Sequence, residues 1–347
     1  MWIDTRCHSQ RKGGRIEKTK GIKLSEIIAR QEDKLKNIRY LSILYRLFRF
    51  FLLIGICFVF LFPVLYMISN AIRTPASVND PGVIWIPKEF TLDNFKMTID
   101  AMDYWNSLIK TMSLDVVSAS LQVITCSFVG YGFARFRFKE KGVLFAIVIF
   151  TIIVPPQTTM MSSFVNFRFF SFGGVSRLIE AITDETATVN LLNTNWTFYL
   201  PAVFGMGIKS GLVILIFRQF FRGMPKELEE SARIDGCGAL RAYLRVIVPS
   251  AGSVFLTAIL FSIVWYWNDY YLSAMYFSDH YPLSVALSQL RTGLQNHGVV
   301  PSSVFNTDEL RTYVQAGALL TILPLLVMYV LLQRFFTESI VRSGIVG

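Results

Sequence analysis

"EESARIDGCGALRAYLRVIVP", residues 229–249, is charged and interrupted by Gly236 and Gly238, yet it lies between two apolar stretches each long enough to cross a membrane. A polar segment in that position has to connect two spans outside the bilayer, so its reading decides the fold. Pro225 suits the first position of a helix, and Glu227, Glu229 and Glu230 fall in the opening turns, where the positive end of the helix dipole favours carboxylates. Glu229 and Arg233 are spaced as neighbours on one helix face. The face at Leu228, Ser231, Ala232 and Asp235 is mostly small, and Gly236 permits the left-handed backbone that ends such a helix. A second amphipathic run follows, with Leu240, Tyr243, Leu244 and Ile247 at helical spacing, Arg241 and Arg245 on another face, and Pro249 opening the next apolar stretch. The pattern predicts a helix, a turn and a helix; a passive surface hairpin and a docking element both fit it.

Outward from this segment the chain is too apolar for a soluble domain, with 53% hydrophobic residues and 30 phenylalanines in 347 residues. Six windows carry the hydrophobicity, at 50–69, 111–134, 142–161, 198–221, 252–273 and 314–332, each near the roughly 20 residues a spanning helix needs. They predict an all-α membrane protein. Pro155, Pro156 and Pro324 predict kinks, which spans tolerate when neighbouring helices satisfy the freed carbonyls. Lys and Arg crowd the segment before the first window, the 135–141 loop and the 222–250 loop, so these face the cytoplasm together with both termini. The resulting organisation is a basic tail at 1–48, a first span and outer loop at 49–104, a five-helix core at 105–333 with the loop at 222–250, and a tail at 334–347. The apolar run near residue 50 starts too late and is too long for a cleaved signal, which predicts a retained signal-anchor.

The net charge of +10 is mostly this topology, and the tail between 18 and 49 suits anionic lipid rather than nucleic acid. Cys7, Cys57, Cys126 and Cys237, like His8, His280 and His297, show no metal-binding spacing. "GMGIKSG", from Gly205, has Ile208 where a phosphate loop requires glycine, and no strand leads into it. Neither a catalytic cluster nor a cofactor site is legible, so any ATP and Mg must be bound by another chain. A secondary transporter is the less favoured alternative, since neither an internal repeat nor a set of midplane carboxylates is evident.

Residues 229–249 resemble the cytoplasmic signature of binding-protein-dependent ABC importer permeases: E-A-A, three residues, G, nine residues, then I-x-L-P. Here these are Glu230-Ser231-Ala232, Gly236 and Val246-Ile247-Val248-Pro249. The stretches "PKEFTLDNF", "GYGFARFRF", "WYWNDYYLSAMYF" and "QRFFTESIVRSGIVG" resemble the sugar-importing, maltose-type branch, while the long basic tail and an insertion near 173–190 depart from it. The resemblance implies a six-helix type I importer permease in a bacterial plasma membrane, paired with a second homologous permease, two ATPase subunits and an extracellular binding protein. It implies that Glu230, Ser231, Ala232, Asp235, Gly236 and Pro249 form the ATPase-coupling element. An amino-acid, peptide or polyamine importer shares the same loop signature and stays open.

The substrate path is less legible. Trp265, Trp267, Asn268, Asp269 and Tyr270 combine aromatic faces and polar groups suited to a sugar, and equally suit an aromatic belt at a membrane interface. Asp115, Lys209 and Asp269 are ionisable residues within spans, and near the outer helix ends they are expected to snorkel to the interface. By the same resemblance, 278–308 reaches into the binding protein's cleft, with a polar connector as the alternative, and 337–347 lies against the ATPases, with a frayed terminus as the alternative.

Overall fold

A chain in lipid must satisfy its backbone N–H and C=O groups internally, and the apolar windows accordingly become helices. The computed structural model describes residues 10–78, 87–171, 188–298 and 307–344; the side chains of 10–40, 76, 307–309 and 334–344 lie outside that description. Among the described residues the only β pairings are two isolated bridges, Arg73 with Phe90 and Phe170 with Val189. The greater part of the 173–190 insertion and residues 345–347 also lie outside it.

Two compact units divide the chain, 1–66 and 67–347. The first holds α1 (Gln10–Ala71) as far as Tyr66, with its apolar residues between Leu41 and Leu65 exposed, as they should be on a helix solvated by lipid. The second holds α2 (Asp93–Ala101), α3 (Tyr104–Arg135), α4 (Lys141–Ile153), α5 (Met160–Arg168), α6 (Trp196–Val203) and α7 (Ser210–Gly223). These are followed by α8 (Glu227–Ile234), α9 (Ala239–Ser250), α10 (Gly252–Trp267), α11 (Tyr271–Tyr276), α12 (Leu283–Ser288), α13 (Leu290–Asn296) and α14 (Thr307–Gly344).

The first, second and sixth predicted spans lie inside single helices long and apolar enough to cross a membrane, within α1, α3 and α14. The other three differ from their expected form. The third is broken, not merely kinked: α4 stops at Ile153, Val154 turns to extended backbone (φ −69°, ψ 122°) before Pro155, and after a 3₁₀ turn at Pro156–Thr158 α-helix resumes at Met160. The fourth is interrupted between α6 and α7, where Gly205 (φ 68°) and Lys209 (φ 53°) both adopt left-handed backbone. The fifth ends at Trp267, short of the predicted 273, and α11 starts afresh. Hydropathy averages over such breaks and does not register them.

Within the second unit α3 is the central post, packed along α7, α10 and α6. Gly130 makes the first contact close: a Cβ there would fall 2.6 Å from Phe217 Cβ and 3.1 Å from the Arg218 nitrogen. Around this crossing Phe217, Phe221 and Ile247 are fully buried.

At the Tyr104 end of α3, Trp267, Leu283, Leu290 and Leu294 form a second core with Tyr104 and Tyr313. Here α12 and α13 pack on α2 and α14, and Gly293 sits directly against the Ala101 carbonyl. Residues 283–296 are thus part of the folded core, not a free connector, while 299–306 lie outside the described residues.

Pro324 lies inside α14, which runs through it unbroken. A proline donates no hydrogen bond to the carbonyl four residues back, here Leu320. That carbonyl accepts from the Tyr104 hydroxyl at 3.0 Å, and the next, of Thr321, accepts from the Trp267 indole at 3.2 Å. Neighbouring helices therefore supply what the proline removes, as expected of a tolerated proline in a span.

Candidate functional site: a hairpin fixed to the end of α3

The hairpin of α8 and α9 is built as its sequence predicts, with one local difference. Helix α8 carries Glu227, Glu229 and Glu230 in its first turn and ends in a motif centred on Gly236 (φ 77°). The Gly236 N–H donates to the Arg233 carbonyl at 3.0 Å and the Cys237 N–H to the Ala232 carbonyl at 2.9 Å, the paired bonds of a glycine-terminated helix. Helix α9 contains a π-helical turn over Tyr243–Ile247 and meets α10 at an 80° bend around Ala251. The apolar face expected at Leu240, Tyr243, Leu244 and Ile247 is consequently split. Tyr243 and Ile247 enter the core, whereas Leu240 and Leu244 point outward with exposures of 62% and 50%.

Polar and aromatic contacts tie both arms of this hairpin to α3. Arg135, the last residue of α3, places Nε 2.8 Å from Oε1 of Glu229, with side-chain exposures of only 7% and 10%. The N–H is not aligned on that oxygen, so the contact is an ion pair and not a directed hydrogen bond. The guanidinium also donates through Nη2 to the Met224 carbonyl at 2.8 Å and to that of Pro225 at 3.4 Å, gripping the chain just ahead of α8. About two turns back along α3, Ser127 Oγ and the Tyr243 hydroxyl are 2.7 Å apart. The Tyr243 ring lies against Phe128 and Tyr131, with centroids at 4.7 and 4.8 Å. A low-dielectric site strengthens such polar contacts and makes them costly to break.

Of the residues singled out for coupling, Glu230, Ser231, Asp235, Gly236 and Pro249 are exposed, and Ile234 beside them is 86% exposed. Ala232 alone is buried, so it packs α8 onto its own chain and does not stand on the outer face. Glu229 and Arg135 were not singled out by sequence. Arg135 counted only as a charge setting topology, although its place in "GYGFARFRF" at the end of an apolar run was a usable signal.

The candidates for a substrate path are not brought together as one pocket wall. Trp267 is buried with its indole committed to Thr321, and the Asn268 amide donates to the Val264 carbonyl at 2.8 Å. Asp269 Oδ2 accepts from the Ser273 N–H at 2.9 Å and its hydroxyl at 3.0 Å, which fixes the start of α11. Trp265 lies under Lys209 Nζ, 5.0 Å from its ring centroid, and Tyr270 is exposed. Snorkelling fails at Asp115, which is 1% exposed, because its position on α3 faces the packed interior. A polar triangle that sequence reasoning missed lies nearby. The Tyr266 hydroxyl donates to Gln122 Oε1 at 2.7 Å, and Gln122 Nε2 donates to the Ile208 carbonyl at 2.9 Å. The Ile208 N–H donates back to the tyrosine oxygen at 3.3 Å, so the break between α6 and α7 is satisfied by α3 and α10.

Helices long and apolar enough to cross a membrane, breaks whose backbone groups are met by neighbouring helices and a charged hairpin held to the end of α3 define a helical membrane protein. More particularly, the chain belongs to the family described as binding-protein-dependent transport system inner membrane component, whose model matches residues 126–339. Among curated proteins it is 26% identical to Protein LplC of Bacillus subtilis over 84% of this chain and 92% of that protein. It is 26% identical to the arabinooligosaccharides transport system permease protein AraQ of Halalkalibacterium halodurans, covering 84% of this chain and 93% of the other. The melibiose/raffinose/stachyose import permease protein MelC of Bacillus subtilis is 27% identical over 76% and 84%. A crystal structure of a bacterial ABC transporter involved in the import of the acidic polysaccharide alginate contains a chain of the same fold. The TM-score is 0.63 at 20% identity, over 84% of this chain and 96% of that one.

Proposed function

We propose that this chain is a transmembrane permease subunit of an ATP-driven sugar or oligosaccharide importer in a bacterial plasma membrane. It forms half of the translocation path with a second homologous permease and receives its substrate from an extracellular binding protein. Two partner ATPase subunits bind ATP and Mg and carry out hydrolysis, so this chain is not itself an enzyme. The hairpin carries the reading: α8 and the turn after it present Glu230, Ser231, Asp235 and Gly236 as exposed residues, while the other face of α8 is held by a buried ion pair. A short element fixed in this way transmits displacement, where a slack loop would absorb it. The names of relatives that import arabinooligosaccharides or melibiose, raffinose and stachyose support the substrate class.

The test is uptake in a strain lacking this chain's gene, supplied with labelled arabino-, galacto- and gluco-oligosaccharides and, separately, with amino acids, dipeptides and polyamines. Restoration of oligosaccharide uptake by the gene is the expected result. Restoration of amino-acid, peptide or polyamine uptake alone would overturn the sugar assignment.

A further inference from the structure

We propose that α3 is the element driven by the hairpin, with Arg135 and Glu229 as the positioning residues that make hairpin and helix move as one body. This rests on the importer reading above and names the route by which a push on the hairpin enters the bundle.

Two routes leave the hairpin. Along the chain, α9 leads into α10, but that route passes through a π-helical turn at Tyr243–Ile247 and an 80° bend at Ala251. A bend of that size turns an axial displacement of α9 into a sideways one at α10, and an irregular helical turn is a place where a helix yields. Across space, α8 reaches α3 through the Arg135–Glu229 pair and the Arg135 bonds to the Met224 and Pro225 carbonyls. The α9 arm reaches α3 through Ser127 and Tyr243. Both arms of the hairpin are thus attached to the last third of one continuous helix. That helix is also the one against which α6, α7 and α10 pack, with Gly130 and Phe217 in close contact beside the attachment. The ionic contact reaches α8 itself, the arm bearing the exposed carboxylates.

The experiment replaces the ionic link by a covalent one. In a chain with its cysteines changed to serine, Arg135→Cys and Glu229→Cys are combined, and a short bifunctional thiol reagent bridges the pair. The readout is substrate moved per ATP hydrolysed in proteoliposomes containing the complete transporter and its loaded binding protein. Without the reagent, the double variant should keep ATP hydrolysis while its coupling ratio falls about tenfold, within the range seen for residues along a coupling route. With the reagent the ratio should return to near that of the cysteine-free parent, which a residue needed only for folding would not do. Parental coupling in the unbridged variant would overturn the proposal, and so would failure of a complete bridge to restore coupling. A parental complex that hydrolyses ATP and moves no sugar would instead count against the importer reading, and with it this proposal.

Discussion

At the scale of single residues, Gly236 and Glu229 show how differently two positions in one helix are determined. Gly236 is a local necessity: its φ of 77° ends α8, and a Cβ there would meet nothing within 4 Å. Gly236→Val should therefore destabilise the hairpin by about 1–3 kcal/mol through backbone strain alone, and Gly236→Asn by less. Hydrogen exchange of the 232–240 amides checks this; equal protection in parent and valine variant would contradict it. Such a glycine is legible in sequence because its reason lies within a few residues of it. The partnership of Glu229 with Arg135 was not, since the two are far apart in the chain and each has a local explanation, a favourable helix dipole for one and membrane topology for the other. The interior atoms of Asp115 and the Gln122–Tyr266 triangle were missed for the same reason: their partners are set by packing.

At the scale of elements, hydropathy located the windows but not their breaks. Left-handed Lys209 carries no compositional mark, and although Pro155 biases Val154 to extended backbone, the averaged windows pass over both. At Pro324 the expectation that a neighbouring helix takes the freed carbonyl is met, with Leu320 accepting from Tyr104. Tyr104→Phe should cost about 1 kcal/mol, the ordinary net value of a lost hydrogen bond or somewhat more for a buried acceptor. In a Pro324→Ala background, where a backbone N–H can serve Leu320 again, the same substitution should cost markedly less. A double-mutant cycle on thermal stability of the purified protein measures the difference. Additive effects would show that the tyrosine does not compensate for the proline.

At the scale of the whole molecule, composition and charge sufficed for an all-helical membrane protein, and the spacing of Glu230, Gly236 and Pro249 pointed to the permease family that the chain joins. Substrate was not legible in either sequence or fold: within 265–270, Trp267 ties α10 to α14, Asn268 bonds back to its own helix and Asp269 fixes the start of α11. What the molecule does present is an exposed carboxylate, Glu230, on a hairpin anchored from behind. The most direct measurement of the central claim is ATP hydrolysis by the reconstituted complex carrying Glu230→Lys, with and without its loaded binding protein. Because Glu230 is exposed, reversing its charge leaves the buried ion pair intact, and on an inert surface it would change stability by no more than about 0.5 kcal/mol. The account predicts a variant that inserts and folds normally and pairs with its partner permease, yet loses the binding-protein stimulation of ATP hydrolysis together with uptake. Stimulation equal to that of the parent complex would contradict it.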